Sequence, residues 1–349
     1  MTIAERDLMS LTTRKSALSV SVENNIQEKI LSSLSSRDAE RFISYRKEWN
    51  ALENDPQRHI DFPLNLYCEP VADCNLSCVF CPTSKKPSLW RERVPGFADG
   101  TYLPFDLFKK AIDEGEKYSL PALWHGISGE ALLHKDTPAM IRYATDHGLI
   151  DKIIITNGTL LTPEKSAELI DAGLTRISIS VNAFQRETYE KLSGKDMLEQ
   201  VKFNIDNLIA EKEKRKTLLP ILRLTYVETD ANQGETEQYI EHWRDKVDQI
   251  DIRKCAGWEY LDDPTEIANI KYSPCIYPQR NISLWANGMI TPCIHWYSKE
   301  TLCFGNIRKT TLKDVWNSNA YQQHMTRALG MDENCDIACK RCQAQYNNL

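Results

Sequence analysis

Between residues 64 and 256 the chain alternates six short, apolar, β-rich runs with longer helical ones, and that alternation restricts its fold more than any other feature. The strand candidates are LNLYCE (64–69), PALWHGIS (121–128), KIIITN (152–157), RISISVN (176–182), ILRLTYV (221–227) and IDIRKCA (250–256). Helical runs at 105–118, 137–147, 163–172, 185–213 and 234–246 fill the gaps, one of them opened by Thr162-Pro163 and closed by Gly173. Near-continuous apolar strands separated by helices build a parallel sheet covered by helices. Six such units predict an α/β fold over residues 61–260, a partial (β/α)6 TIM-like barrel open along one side. Its chemistry belongs at the C-terminal ends of the strands.

The flanks read differently. Residues 1–60 are polar and helix-forming, with no strand pattern, and are expected to form a helical cap on the main domain or an arm for a partner. Within residues 261–349, ISLWANGMITPC (282–293) reads as a hairpin around Asn287-Gly288, 311–329 as a helix, and the end as a cysteine-rich loop. This small second domain has an apolar core that looks too thin without a metal staple. No run of 18 apolar residues exists and the start, MTIAERDLMS, lacks a signal-peptide pattern. A cytoplasmic setting with reduced thiols is therefore expected. A net charge of −6 gives no electrostatic case for nucleic acid.

Eleven cysteines are more than a core needs, and they are unevenly placed. Three stand at 74, 78 and 81; six more, at 275, 293, 303, 335, 339 and 342, crowd the last 75 residues; Cys68 and Cys255 stand apart. Two clusters in a reducing setting point to two metal sites. CNLSCVFC (74–81) follows the first strand directly, which puts Cys74, Cys78 and Cys81 on the barrel's C-terminal face. Thiolates are the ligands of iron–sulfur clusters. Three of them hold three irons of a [4Fe–4S] cube and leave the fourth open to a small molecule that accepts an electron. A zinc knuckle is the plainer alternative, but it wants a second cysteine pair nearby.

The Cys-x3-Cys-x2-Cys spacing after the first strand of a partial barrel resembles the signature of the radical S-adenosylmethionine (radical SAM) superfamily, and Phe80 matches its usual aromatic. GISGE (126–130) stands where that family has a Gly-Gly-Glu-like stretch, although Ser128 replaces the first glycine. The resemblance implies that Gly126, Ser128, Gly129 and the Glu130 carboxylate hold the methionyl amino group. ITNGT (155–159), with Asn157, ends the third strand, and SISVNA (178–183) ends the fourth. By the same resemblance Ser180 and Asn182 face the ribose and carboxylate of SAM, with Asn182 where many relatives have aspartate. The likeness covers roughly residues 62–260. It implies a reduced cluster, fed by a donor such as flavodoxin or ferredoxin, that splits SAM into a 5′-deoxyadenosyl radical able to abstract hydrogen.

The stretch from CIYP through NGMITPC, FGNI, LKDVW and CKRC resembles the SPASM/twitch extension of these enzymes. The two-cluster version carries a C-x2-C-x5-C-x3-C run that is absent here. One auxiliary [4Fe–4S] cluster is therefore expected on Cys275, Cys293, Cys339 and Cys342, with Cys335 as a substitute ligand and zinc on the same thiolates as the alternative. Of the remaining thiols, Cys255 near the end of the sixth strand is the exception to burial in the core. Related epimerases use a cysteine to return a hydrogen atom to substrate. His125 reads as either a core or a cavity residue, and Trp258, Glu259 and Tyr260 as contacts for a polar substrate. The implied function is dehydrogenation or epimerisation of a small polar natural product such as a sugar, aminocyclitol or nucleoside. The alternatives are modification of a ribosomal peptide, an activase for a partner protein, and a zinc-binding module. The helical N-terminal segment counts against the peptide reading, since those enzymes often carry a winged-helix leader-binding domain.

Overall fold

The computed structural model describes residues 19–23, 25–55, 57–81, 83–84, 100–255, 274–294, 302–330, 339–340 and 342. It begins with a strand, β1 (Ser19–Glu23), and two helices, α1 (Ile26–Ser33) and α2 (Ser36–Asn54). Ser35 caps α2, its hydroxyl accepting from the Asp38 amide at 3.2 Å. Six strands then alternate with helices: β2 (Asn65–Cys68), α3 (Phe105–Lys117), β3 (Ala122–His125), α4 (Thr137–Asp146), β4 (Asp151–Thr156), α5 (Pro163–Asp171), β5 (Arg176–Ser180), α6 (Arg186–Ser193), α7 (Leu198–Lys214), β6 (Ile221–Glu228), α8 (Thr236–Trp243) and β7 (Gln249–Lys254). Strands β2 to β7 are parallel and neighbour one another in chain order, which is the expected (β/α)6 arrangement. The expected helical run 185–213 divides in two because Gly194 takes a left-handed φ of 77° at the end of α6.

Two expectations at the flanks need correction. The N-terminal segment is helical but also contains β1, which pairs antiparallel with the edge strand β7 (Ser21 opposite Asp251). Its SVSVE alternation is a period-two pattern, and the surrounding helix-formers masked it. Helix α2 does act as a cap. Ile30, Phe42 and Tyr45 pack with Ala122, Ile150 and Ile221, at or beside the first residues of β3, β4 and β6, so the helices plug the N-terminal end of the barrel.

The C-terminal segment is not a separate thin core. Helix α9 (Tyr277–Arg280) leads into β8 (Asn281–Leu284), which pairs parallel with β2, Ile282 opposite Leu66. The hairpin continues through β9 (Met289–Thr291) and β10 (Gly305–Asn306), turning at Gly288 with φ 86°. The expected helix 311–329 is two, α10 (Leu312–Trp316) and α11 (Asn319–Gly330). Ile282, Trp285, Ile290, Trp316 and Tyr321 join the same apolar cluster as the barrel.

The barrel strands alternate in burial. Side chains facing the helices, among them Ile154, Ile177, Leu224 and Tyr226, are at most 1% exposed. Their inward-facing neighbours Ile153, Ile155, Arg176, Ser180, Arg223 and Thr225 are only partly buried. Packed barrels fill their interior with branched side chains. Here the inward face is mixed, with Arg176, Ser180, Arg223 and Thr225 beside Ile153 and Ile155. Because Phe42 is 1% exposed in the plug, Phe42→Ala is expected to lower stability by about 3–5 kcal/mol, read as a shift of the urea midpoint at unchanged slope.

Candidate active site

The loop carrying Cys74, Cys78 and Cys81 leaves the barrel just after β2 and is held by backbone bonds. Ser77 N–H and Val79 N–H donate to the carbonyls of Ser193 and Leu192, both 2.9 Å, at the end of α6. Gly194 makes room for this docking: a Cβ there would lie 3.3 Å from Ser77 Cβ. Asp73 accepts the Cys74 amide at 2.7 Å, and Cys81 N–H donates to the Cys78 carbonyl at 3.1 Å. Donors also face the sulfurs. Leu76 N–H lies 3.5 Å and Asn157 Nδ2 3.8 Å from Cys74 Sγ, and Thr83 Oγ1 is 3.2 Å from Cys81 Sγ. Asn157 is fixed by Asn75 Oδ1 at 2.8 Å and by accepting from Thr159 Oγ1 at 2.6 Å. Burial pushes the Cys74 thiol up to about 11, with the Leu76 amide opposing. Donors aimed at sulfur favour thiolate and set the potential of a cluster held there.

Two buried carboxylates organise the adjoining strand ends. Glu69, which sequence reasoning missed, is 0% exposed and lies beneath residues 127–129. It accepts from Ser128 N–H and Ser128 Oγ, both 2.6 Å, and more weakly from Gly129 N–H at 3.3 Å. Burial raises its pKa to about 7, against the pull of these donors. Glu130 is the second carboxylate, 2% exposed. Its carboxylate points inward, accepting from Thr156 Oγ1 and Asn157 N–H at 2.6 Å and from Leu132 N–H at 3.0 Å. It ties β3 to β4 and leaves the backbone of 126–129 as the part that faces outward. Gly129 is required there: a Cβ would fall 2.1 Å from the Val71 carbonyl oxygen and 2.7 Å from that of Asp73.

A cavity beside the loop is lined by Cys78, Phe80, Asn157, Ser180 and Asn182, five of the residues singled out in the sequence, together with Leu76, Tyr189, Leu192 and Ser193. Ser180 Oγ is 3.1 Å from Thr225 Oγ1. Asn182 Oδ1 accepts from Val227 N–H at 2.8 Å, so its carboxamide is oriented by β6. Tyr189 was not legible from sequence, because its spacing on α6 is that of an ordinary core aromatic. Its hydroxyl is buried without a hydrogen-bond partner among the described residues, and Cys78, Glu130 and Cys74 are the charges acting on it. An orphaned hydroxyl, N–H groups aimed at sulfur and an all-thiol donor set fit an iron–sulfur cluster bound here.

At the other end, Cys275 and Cys293 lie close enough to Cys342 to help burial push its thiol well above the ordinary value. Cys275 N–H donates to Ala328 O at 2.9 Å on α11, and Thr291 Oγ1 donates to Cys293 O at 3.0 Å, so helix and hairpin bring the two together. Cys339 and Cys342 both have helical backbone. Among the described residues no three His, Cys, Asp or Glu side chains close on one point as a single-ion site would. Cys335, Trp258, Glu259 and Tyr260 lie outside the described residues. Cys255 stands just past β7, its N–H donating to Glu228 O at 2.7 Å, half-buried on the C-terminal rim. His125 is a core residue, 0% exposed against Phe108, and burial lowers its pKa to about 3. Cys68 is likewise buried in the core.

The family model of the radical SAM superfamily matches residues 69–242, and that of the SPASM iron–sulfur cluster-binding domain matches residues 275–343. The chain belongs to the radical SAM superfamily. It is 36% identical over 131 residues to the GTP 3′,8-cyclase of Aliarcobacter butzleri, a match covering 37% of this chain and 37% of that one. The chain thus spans little more than a third of that relative. It is 24% identical over 301 residues to the tungsten-containing aldehyde ferredoxin oxidoreductase cofactor-modifying protein of Pyrococcus furiosus, covering 73% of this chain and 81% of the other. The solved structure of native anSMEcpe with bound AdoMet overlays with a TM-score of 0.57 at 14% identity, covering 81% of this chain and 91% of that chain, and shares its fold. The family brings SAM and a [4Fe–4S] cluster to the barrel, and iron–sulfur binding to the C-terminal domain.

Two outcomes follow from the carboxylates and Gly129. Gly129→Ala is expected to displace the 126–130 loop and abolish SAM binding, measured by equilibrium dialysis, with far-UV circular dichroism retained. Glu69 holds a proton in the folded chain that the unfolded chain releases between pH 4.5 and about 7. The stability it contributes is therefore greatest below pH 4.5 and declines as pH rises through 7. Glu69→Gln should flatten that slope in thermal midpoints measured across the window.

Proposed function

We propose that this chain uses SAM and a [4Fe–4S] cluster to oxidise or epimerise one carbon of a small polar molecule held in the barrel, and that Cys74, Cys78 and Cys81 hold the cluster. Bound together, cluster and SAM supply a 5′-deoxyadenosyl radical, which takes a hydrogen atom from the substrate. The observation that carries the reading is the cavity that joins Cys78 and Phe80 to Asn157, Ser180 and Asn182 at the ends of β4 and β5. The protein's own residues do three things. Amides of residues 126–129, braced from behind by Glu69, present a rigid edge for the methionyl group. Asn157, Ser180 and Asn182 line the wall against the nucleoside. The hollow lumen below, with Ser178, Arg223 and Thr225 facing inward, admits a polar substrate while the α2 plug closes the far end to water.

Cys275, Cys293, Cys339 and Cys342 hold one auxiliary cluster, fully ligated, which relays or accepts electrons. A flavodoxin or ferredoxin in the cytoplasm supplies the first electron. If the outcome is epimerisation, the Cys255 S–H on the rim would give its hydrogen atom to the substrate radical, and the sulfur radical left behind would be restored by one electron, relayed from the flavodoxin or ferredoxin donor through the auxiliary cluster, and one proton from solvent. The second reading, a peptide substrate, rests on the C-terminal SPASM match.

Anaerobically reconstituted protein given dithionite and SAM should release 5′-deoxyadenosine, and Cys74→Ala, Cys78→Ala or Cys81→Ala should reduce that to background. A fully iron-loaded wild type that leaves SAM intact would overturn the reading. With a turned-over substrate in heavy water, deuterium at the inverted carbon that disappears in Cys255→Ala assigns the donor; deuterium retained in that variant removes Cys255 from the mechanism.

A further inference from the structure

Among the described residues, one arginine on the inward face of the barrel has no carboxylate partner. Arg176 is paired with Asp151 through two bonds, Nε to Oδ1 at 2.9 Å and Nη2 to Oδ2 at 3.0 Å. Arg253 is bonded to Asp251, Nε to Oδ2 at 2.9 Å. Arg223, between them on β6, has no ion-pair partner among the described residues. Its Nε donates to Ser178 Oγ at 3.0 Å, and its guanidinium lies 5.7 Å from the Trp124 ring centroid. Asp251, the carboxylate that acts on it, is already engaged by Arg253. Burial pushes the Arg223 pKa down to about 10, which leaves it charged at neutral pH.

Trp124 adds a second observation. Its Nε1–H is buried with no acceptor among the described residues, and its ring packs 5.3 Å from the Tyr67 ring inside the lumen. An enclosed guanidinium and an orphaned indole N–H are donors only. Among the described residues the guanidinium has no carboxylate and the indole N–H no acceptor, at a place where the inward face remains partly open. A desolvated arginine without a counter-charge is costly, and its planar fork matches the oxygens of a carboxylate or phosphate.

We propose that Arg223 and Trp124 form an oxyanion-binding subsite in the barrel lumen that receives an anionic group, phosphate or carboxylate, of the substrate. This rests on the reading of the barrel as the substrate chamber. It narrows the substrate class from small polar molecules to those carrying an acidic group. Arg223 then acts in binding, one inward-facing position along β6 from Thr225, which bonds Ser180.

The test is equilibrium dialysis of the full, cluster-loaded, SAM-bound chain against labelled inorganic phosphate and, separately, labelled acetate. Wild type should bind one oxyanion per chain. Phosphate binding more tightly indicates a phosphorylated substrate, and acetate binding more tightly a carboxylated one; either supports the subsite. Arg223→Gln should weaken binding at least tenfold, while Arg223→Lys, which keeps the charge, should lose less. Trp124→Phe keeps the aromatic ring and deletes the N–H, and should weaken binding a few-fold, so the subsite remains testable if Arg223→Gln does not fold. Wild type binding neither probe, or variants binding as well as wild type, would overturn the proposal. So would an equal loss of SAM affinity in Arg223→Gln, which would assign the guanidinium to the cofactor's carboxylate. Release of 5′-deoxyadenosine without added substrate is a separate readout: its absence would defeat the radical reading and leave the oxyanion result standing.

Discussion

The buried carboxylates of Glu69 and Glu130 are the constraint on which the site depends. Both sit where parallel strands end, and both accept amide hydrogens that would otherwise have no partner in the fold. Glu69 braces residues 127–129 from the end of β2, and Glu130 joins the end of β3 to the end of β4. A buried carboxylate surrounded by several donors is stiff, because moving any donor leaves a desolvated charge poorly bonded. The backbone edge at residues 126–129 is therefore set before any ligand arrives. The cysteine loop is set from the other side by α6, through the two carbonyls at its C-terminal end. Loop and edge are separate pieces of chain, and their meeting is what creates the site.

The sequence made the barrel legible because both of its signals are local. Apolar strands of four to eight residues and intervening helices have different periods, and all six strands lie within three residues of their expected ends. The cysteine spacing was equally plain. What sequence did not disclose is side-chain direction. Glu130 stands at the position the family resemblance assigns to a ligand, yet the turn after β3 aims it into the core. Glu69 looked like a strand residue beside a proline, and its role exists only because residues 127–129 fold over it. Likewise β1 is a short alternating stretch whose partner, β7, lies more than 220 residues away, and no local rule predicts such pairing.

The C-terminal region shows how a small extension avoids needing a core of its own. By adding β8 alongside β2, it continues the barrel's sheet and shares its apolar cluster. Its cysteines are thereby presented from a hairpin and a helix already anchored to the barrel. The six-stranded barrel is plugged at one end by α2, and its inward face carries Arg176, Ser180, Arg223 and Thr225 beside Ile153 and Ile155 where a packed barrel has branched apolar side chains throughout.

The central claim is that three thiolates hold a cube whose fourth iron is reserved for SAM. Electron–nuclear double resonance on the reduced protein, with SAM labelled with nitrogen-15 in its amino group and oxygen-17 in its carboxylate, tests this most directly. The account predicts hyperfine coupling of both nuclei to one iron of the N-terminal cluster. A reduced cluster signal that shows no coupling to either label, with SAM bound at saturation, would contradict it.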